Sequence, residues 1–555
     1  MPRRQTVDGV PADLAVILRD VGTLLLMQAA LLTLTVFVAL AFGEFEPALG
    51  FLTAGGITAG VGEASRRRFD DAPEPRMKHG MVIAAGGWFA TAVFGGLAFF
   101  LVAWFTPVEV MAGYVPASAD WEAARVAGAT SRSSLLYFRH PLHALFESMS
   151  GWTGSGLTMA IHEPSLPRSV QWWRSLVQYV GGVGVIVLTV TILSRPGSGS
   201  YALYRSETRE EKIHPSVVST VRTVWRIFVG YTLVSIVVLF LAIWGTQDQL
   251  SLFEAFWQAL NHAMTGLSTG GFSVTDNSME SYNSPLIESV LLPVMTLGAI
   301  AFPIHYAILR QGRWHELYGD VQTRWLFVLL GVGIVALSAQ NLLVNLAPEG
   351  YGATVQSPLA FVSTAQFDAV RDGTFQWVSA LSCTGFQSSP IGRWSDGGKL
   401  LLAGAMTLGG AAGSTVGGIK IIRGYTISKG IQWQFSRVFL PRDAVVGLTI
   451  DDRRLDEDEM NREFAEAAIV SLLWVIMLVA SSLVLVNVAG PDFSYADALF
   501  EVASAQGNVG LSTGITGPSM PPVAEAMFLF NMWIGRLEII PVLVFARSAL
   551  QGLNP

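Results

Sequence analysis

The sequence is poor in charge and almost without cysteine. Only 14% of its 555 residues are Asp, Glu, Lys or Arg, against about a quarter in soluble domains. A water-exposed surface of ordinary size cannot be built from it. The single cysteine, Cys383, excludes an intrachain disulfide and a cysteine-based metal cluster. Acids outnumber bases, 42 to 35, and the mild net charge of −7 argues against a nucleic-acid partner. No low-complexity tract or long linker appears. HELYG at 315–319 lacks the second histidine of a zinc-protease motif, and no Ser/His or paired-Asp arrangement lies in the apolar segments. No enzyme chemistry is therefore expected. A sodium- or proton-coupled secondary transporter of another solute is the competing class, but no apolar segment carries a central Asp/Glu pair to couple it. Glu147, Glu254 and Glu501 are expected at the starts of short helices, on the outer side.

What the chain has is apolar length. Hydrophobic residues make up 51%, and runs such as 21–42, 81–105, 227–244 and 466–489 reach the ~20 residues that cross a bilayer as helix. The first run is too long for the apolar core of a cleavable leader and is read as a retained span. Lys and Arg gather in alternate loops: Arg66–Arg68 with Arg76 and Lys78; 195–226; Arg310, Arg313 and Arg324; and 420–454. This alternation gives ten spans with both termini in the cytoplasm of a multi-pass inner-membrane protein. They fall near 17–42, 46–63, 81–105, 168–194, 225–245, 285–310, 323–346, 396–423, 464–489 and 522–548.

Between the spans one motif recurs. ALFESMSGWTGSGL (144–157), ALNHAMTGLSTGGF (259–272), GTFQWVSALSCTGF (373–386) and ALFEVASAQGNVGL (498–511) align without gaps. Each has a hydroxyl residue (Ser150, Thr265, Ser379, Ser504) six places before a glycine (Gly156, Gly271, Gly385, Gly510). About 25 residues further on, each following span holds another glycine: Gly181, Gly298, Gly409 and Gly535. The expected architecture is all-α. It has an N-terminal helix pair (1–80) and four tandem repeats of span, short helix, glycine loop and span (81–224, 225–322, 323–454, 455–555) around one central pore.

The short helices cannot cross a bilayer at ~1.5 Å per residue, so they are expected to re-enter and end within it. Irregular backbone survives at that depth only where protein buries it or it lines a watery cavity. Four copies about one axis can turn backbone carbonyls inward and replace the hydration shell of a monovalent cation. The glycine supplies backbone conformations that a Cβ forbids. The expected ion-binding residues are Thr153, Gly154, Ser155 and Gly156; Ser268, Thr269, Gly270 and Gly271; Ser382, Cys383, Thr384 and Gly385; and Gly507, Asn508, Val509 and Gly510.

These loops, with TGGFSVTDNSMESYNSP after the second, QYVGGVGVIVLTVTIL (178–193), TLGGAAGSTVGGIKIIR (407–423), AQGNVGLSTG (505–514) and IGRLEIIPVL (534–543), resemble the potassium-translocating membrane subunits TrkH and KtrB over residues 15–550. The extra N-terminal pair is more like TrkH. The first loop, Thr153-Gly154-Ser155-Gly156, is richer in glycine than that pattern, and Cys383 stands where threonine is usual. The resemblance implies potassium as the transported ion, bound at the loop residues, and a homodimer in the lipid bilayer. It also implies a cytoplasmic TrkA/KtrA-like regulatory ring that carries the nucleotide (ATP/ADP or NAD); no covalently bound cofactor is expected on this chain.

TLGGAAGSTVGGIK places five glycines between 409 and 418 of one span, where each costs an unbroken helix about 1 kcal/mol relative to alanine. We read it, mostly on the resemblance, as a flexible gate loop under the pore. Its residues are Gly409, Gly410, Gly413, Ser414, Thr415, Gly417, Gly418 and Lys420. Arg536 takes the slot of Gly182 in the first repeat and is expected just below the glycine loops, facing passing cations or paired with Glu538. Lys420 can equally snorkel to the cytoplasmic face. The loop 195–226 and the charged stretch 451–468 are candidate docking surfaces for the ring, the latter also the start of the ninth span.

Overall fold

The structure is a computed structural model. It describes residues 6–193, 217–345 and 362–553 apart from 8, 118, 120, 440–447, 451, 452, 456 and 538, together with 355, 357 and 358. The side chains of 6, 77, 185–193, 217, 218, 345, 448–450, 453, 454 and 457 are not described. The 195–226 docking candidate and Glu538 therefore lie largely or wholly outside the described residues.

The chain is helical, with three small two-stranded hairpins among the described residues. An N-terminal hairpin of helices, α1 (Ala12–Ala41) and α2 (Phe45–Arg68), leads into α3 (Met77–Phe105). Repeat 1 continues with short α4 (Pro141–Thr153) and α5 (Arg168–Leu193). Repeat 2 has α6 (Val217–Thr246), short α7 (Leu252–Leu267) and the bent pair α8 (Pro285–Ala299) and α9 (Phe302–Gln311). Repeat 3 has α10 (Val321–Gln340), short α11 (Thr364–Leu381) and the interrupted pair α12 (Asp396–Thr407) and α13 (Ile421–Phe439). Repeat 4 has α14 (Glu457–Val488), short α15 (Tyr495–Gly507) and the bent pair α16 (Pro522–Leu537) and α17 (Ile539–Gln551). The expected all-α, four-repeat architecture is the one observed.

Among the described residues five helices are long and apolar enough to cross a membrane, and the pairs α8/α9 and α16/α17 raise this to seven. The other three expected spans correspond to α2, α5 and α12/α13. Two spans expected to be continuous are sharply bent: α8/α9 by 105° and α16/α17 by 115°. Pro303 and Pro541 sit in the first turn of each second half, where a missing backbone N–H costs little. The charged stretch 451–468 divides between a hairpin strand, Arg453–Leu455, and the first turns of α14.

Burial is inverted relative to a water-soluble protein. Phe37, Leu233, Val332, Val335 and Leu472 are each 60% or more exposed, while Ser150, Thr265, Ser379, Ser504, Gln178 and Asn531 are fully buried. Apolar side chains face outward, as a lipid surface requires, and the polar groups line the interior. Ser251, Ser363 and Ser494 cap the short helices α7, α11 and α15 by accepting a backbone N–H, whereas α4 starts on Pro141. The second-helix glycines let these layers close. A Cβ on Gly181, Gly298 or Gly535 would meet the carbonyl of Trp152, Leu267 or Gln506, at 2.4, 2.5 and 1.8 Å. Each of those carbonyls belongs to the last turn of a short helix.

Candidate functional site

The four loops leave their helices in one way. The N–H of Ser155, Gly270, Thr384 and Val509 donates to the carbonyl of Ser150, Thr265, Ser379 and Ser504, at 2.8–2.9 Å. Two left-handed residues follow in each copy. The first are Gly154 (φ 72°), Thr269 (53°), Cys383 (50°) and Asn508 (55°), and the second are Gly156, Gly271, Gly385 and Gly510 (74–107°). The extra glycine of the first loop thus sits where the other loops hold a side chain in a conformation that costs L-residues energy. Beta-branched Thr269 is the least comfortable of the three.

The loops close on one another in sequence order. A Cβ on Gly156 would come 2.4 Å from the carbonyl oxygen of Gly270. On Gly271 it would come 2.0 Å from Thr384 O, on Gly385 1.8 Å from Val509 O, and on Gly510 2.6 Å from Ser155 O. Repeat 1 touches 2, 2 touches 3, 3 touches 4 and 4 touches 1. At all four positions a side chain is excluded twice, by φ and by a neighbouring backbone. The loop oxygens are not all alike. Gly270 O accepts from Gln178 Nε2 at 2.6 Å, and Gln178 Oε1 accepts from Phe272 N at 2.9 Å. Gln178 of α5 so braces the second loop across Gly271.

Side chains tie each loop to its own helix. Thr265 and Ser379 donate to the carbonyls of Phe272 and Phe386, both at 2.8 Å, and Ser504 Oγ accepts from Gly510 N at 3.0 Å. Ser150 Oγ has no partner among the described residues. In the first loop Thr153 and Ser155 bond each other at 2.9 Å, Asn508 Nδ2 reaches Ser155 Oγ at 2.7 Å, and Ser382 and Thr384 pair in the third.

Nine residues before each loop glycine stands a further set, of which sequence reading singled out only Glu147 and Glu501 and for another place: Glu147, His262, Gln376 and Glu501. Each is fully buried and binds the strand leaving the loop three residues after the glycine. Glu147 accepts from Met159 N at 2.8 Å, His262 from Val274 N at 3.2 Å and Glu501 from Thr513 N at 2.7 Å, while Gln376 donates to Ser388 Oγ at 3.1 Å. Glu147 also pairs with the buried guanidinium of Arg174 at 2.7 Å. Glu501 is held by hydroxyl and backbone N–H donors of Ser512, Thr513, Ile515 and Thr516. The expectation that Glu147 and Glu501 lie at helix starts is therefore corrected: their carboxylates are needed deep in the helix, where backbone N–H groups of the outgoing strand require acceptors. Glu254 does lie in a first turn. On the outer loop after the first glycine, burial pushes the Glu163 carboxyl up to about 7, against the attraction of Arg174.

Beneath the loops the repeats diverge. Residues 409–419 form a buried loop between α12 and α13, with Gly413 and Gly418 left-handed at φ 80° and 70°. It is not slack here. Gly409 N donates to Ile419 O at 2.8 Å and Ile419 N to Thr407 O at 3.0 Å. The break in α8/α9 frees backbone groups that this loop takes up. Ala411 N donates to Ala299 O, Thr415 N to Gly298 O, and Phe302 N to Gly413 O, at 3.1–3.2 Å. Ser414 Oγ bonds back to Ala411 O at 2.6 Å. A Cβ on Gly410 would meet Ala299 O at 3.0 Å, and one on Gly417 would meet Gly507 O at 2.4 Å. Gly409 packs on Gly417, so in this repeat it does not meet a short helix as Gly181, Gly298 and Gly535 do.

Thr415 is the centre of this loop. Its hydroxyl bonds Thr269 of the second glycine loop at 2.9 Å, and its carbonyl accepts from Arg536 Nη1 at 2.5 Å. Arg536 Nη2 also donates to Gly181 O and Gly182 O, both at 2.9 Å. The guanidinium lies 3.9 Å from where a Cβ on Gly154 would stand. It spans repeats 1, 3 and 4 directly under the glycine loops. Lys420 is half-buried and its ammonium donates to Val416 O, so it turns back into the loop.

The family model for TrkH, described as a cation transport protein, matches residues 79–552. The chain belongs to the TrkH family of cation transport proteins. A relative in Methanocaldococcus jannaschii, named an uncharacterized cation transporter, is 32% identical over 74% of this chain and 77% of its own. The Trk system potassium uptake protein TrkH of Halomonas elongata is 27% identical over 97% and 99% of the two chains. That of Escherichia coli K12 is 28% identical over 72% and 77%. The crystal structure of the potassium transporter TrkH from Vibrio parahaemolyticus superposes with a TM-score of 0.74 at 22% identity, over 97% of this chain and 99% of that one. The TrkH fold thus extends over the N-terminal helix pair as well.

Proposed function

We propose that this TrkH-family chain is the pore subunit of a potassium uptake system of the cytoplasmic membrane. The observation that carries the reading is the closed ring of four single-glycine loops, each lying against the next. A monovalent cation shedding water needs oxygens in place of its hydration shell. Four loops fixed to one another and braced from behind by Glu147, His262, Gln376 and Glu501 resist collapse onto a smaller ion. The potassium-uptake names of the relatives support potassium as that ion, bound by the loop residues 153–156, 268–271, 382–385 and 507–510.

Residues 409–420 with Arg536 act in this reading as the gate. The loop crosses under the ring, and a guanidinium held there sets an electrostatic barrier to a cation. Opening would break the Thr415 contacts to Thr269 and Arg536. A homodimer in the inner membrane, with both termini cytoplasmic, and a cytoplasmic ring that binds ATP/ADP or NAD would supply the control. The nucleotide then belongs to that partner.

Uptake of radioactive rubidium into proteoliposomes holding the purified chain, competed by potassium or sodium, tests the reading. Potassium is expected to block uptake and sodium hardly at all. Equal competition would leave a pore but remove the potassium assignment. Absence of flux even with the cytoplasmic partner present would favour the coupled transporter of another solute.

A further inference from the structure

On the outer side a pair of ionisable side chains crosses each seam between neighbouring repeats. Each pair links the first turns of a second helix to the short helix of the next repeat. Arg168 binds Glu254 between repeats 1 and 2 at 2.7 Å, Glu288 binds Arg371 between 2 and 3 at 2.8 Å, and Lys399 binds Asp497 between 3 and 4 at 2.7 Å. Each of these seams sets a carboxylate against a permanent cation. The seam between repeats 4 and 1 does not. There Glu525 of α16 meets His143 Nδ1 of α4 at 2.8 Å, and the His140 ring lies beside His143, tilted by 45° with ring centroids 4.4 Å apart.

Glu525 is fully buried, and its Oε2 takes no hydrogen bond from any described residue. A buried carboxylate without a fixed counter-charge is costly. One ligand atom from each of His140, His143 and Glu525 lies within 4.8 Å of the other two, and His140 opens the group to the outside. Tetrahedral zinc with bonds of about 2.0–2.1 Å places its ligand atoms about 3.3 Å apart. The 2.8 Å pair must open by only about half an ångström to admit the ion.

We propose that His140, His143 and Glu525 bind a divalent transition ion of the zinc type, which closes the fourth seam as Arg and Lys close the other three. Two imidazoles and one carboxylate leave the fourth coordination position to water. The start of α4 and of α16 both face the group. Their positive dipole ends weaken any cation held by charge alone, so magnesium and calcium are disfavoured and ions that seek imidazole nitrogen are selected.

The test is metal binding to the full-length chain, purified in detergent, stripped with chelator and free of any polyhistidine tag. Zinc is titrated by calorimetry and the bound metal is counted by elemental analysis after dialysis. The native chain is expected to hold one zinc, and a large excess of magnesium should leave that zinc in place. His140→Ala keeps the His143–Glu525 contact, and so the seam, but should lose the ion, as should Glu525→Gln. Glu254→Gln, at the first seam, should still bind one. A native chain that takes up no zinc overturns the proposal. So does a His140→Ala chain, unfolding at the native temperature, that still binds one equivalent. If Glu525→Gln does not fold, His140→Ala decides alone.

Discussion

The glycine loops and the backbone just beneath them follow opposite rules. In the loops the four repeats are nearly interchangeable: the same bond closes each helix, the same two positions are left-handed, and each glycine abuts the next loop. One layer down, α5 runs unbroken, α8/α9 bends, α12 and α13 part around a buried loop, and α16 carries Arg536. A single ion held on an axis needs four equivalent walls. A barrier that opens needs one wall unlike the others, with partners it can exchange. The difference locates proposed selection in the symmetric layer and proposed control in the asymmetric one.

Substitution in the symmetric layer has the largest expected effect. Gly271→Ser places a side chain against Thr384 O and should abolish the preference for potassium over sodium in rubidium competition. A ratio equal to that of the native chain would remove Gly271 from the ring's selective function. The braces come next. Glu147→Gln leaves Arg174 buried without its carboxylate and should cost about 3–5 kcal/mol in thermal unfolding. Glu501→Gln, whose partner donors are hydroxyls and backbone N–H groups, strands no cation among the described residues and should cost less; equal losses would mean that the Arg174 pair is not what sets the first brace apart.

The asymmetric layer is probed by flux. Replacing Gly410–Gly417 by a shorter linker, or Arg536→Ala, should raise basal rubidium flux several-fold with the potassium preference intact. Loss of that preference would mean the two layers are not separable. The smallest effects compare the loops with each other. Ser379→Ala removes a buried bond and should cost about 1 kcal/mol, whereas Ser150→Ala should cost nothing, since its hydroxyl has no described partner. A loss at Ser150 matching that at Ser379 would restore the fourfold rule where the structure breaks it.

What was legible in the sequence was what glycine alone can do. Gly156, Gly271, Gly385 and Gly510 sit where φ is positive and a neighbour is close, so each left an unmistakable residue at a fixed place. Gly181, Gly298 and Gly535 did the same for helix packing, and the glycine run at 409–418 marked a real interruption. The left-handed Thr269, Cys383 and Asn508 were hidden, because the fold imposes a strained conformation without demanding a residue type. The bends between α8 and α9 and between α16 and α17 left only Pro303 and Pro541 as signals, and proline is common in membrane helices. Gln178 and the seam pairs depend on contacts between distant segments, and the braces at 147, 262, 376 and 501 on contacts within one repeat. Of these, the braces alone were recoverable, since they occupy one column of the same ungapped alignment that revealed the loops.

Crystals of the chain soaked in thallium, which substitutes for potassium and scatters anomalously, would test the central claim directly. The account predicts an anomalous peak enclosed by all four loops, within coordination distance of oxygens from residues 153–156, 268–271, 382–385 and 507–510, that sodium does not displace. Peaks confined to one loop, or found only away from the ring, would contradict it.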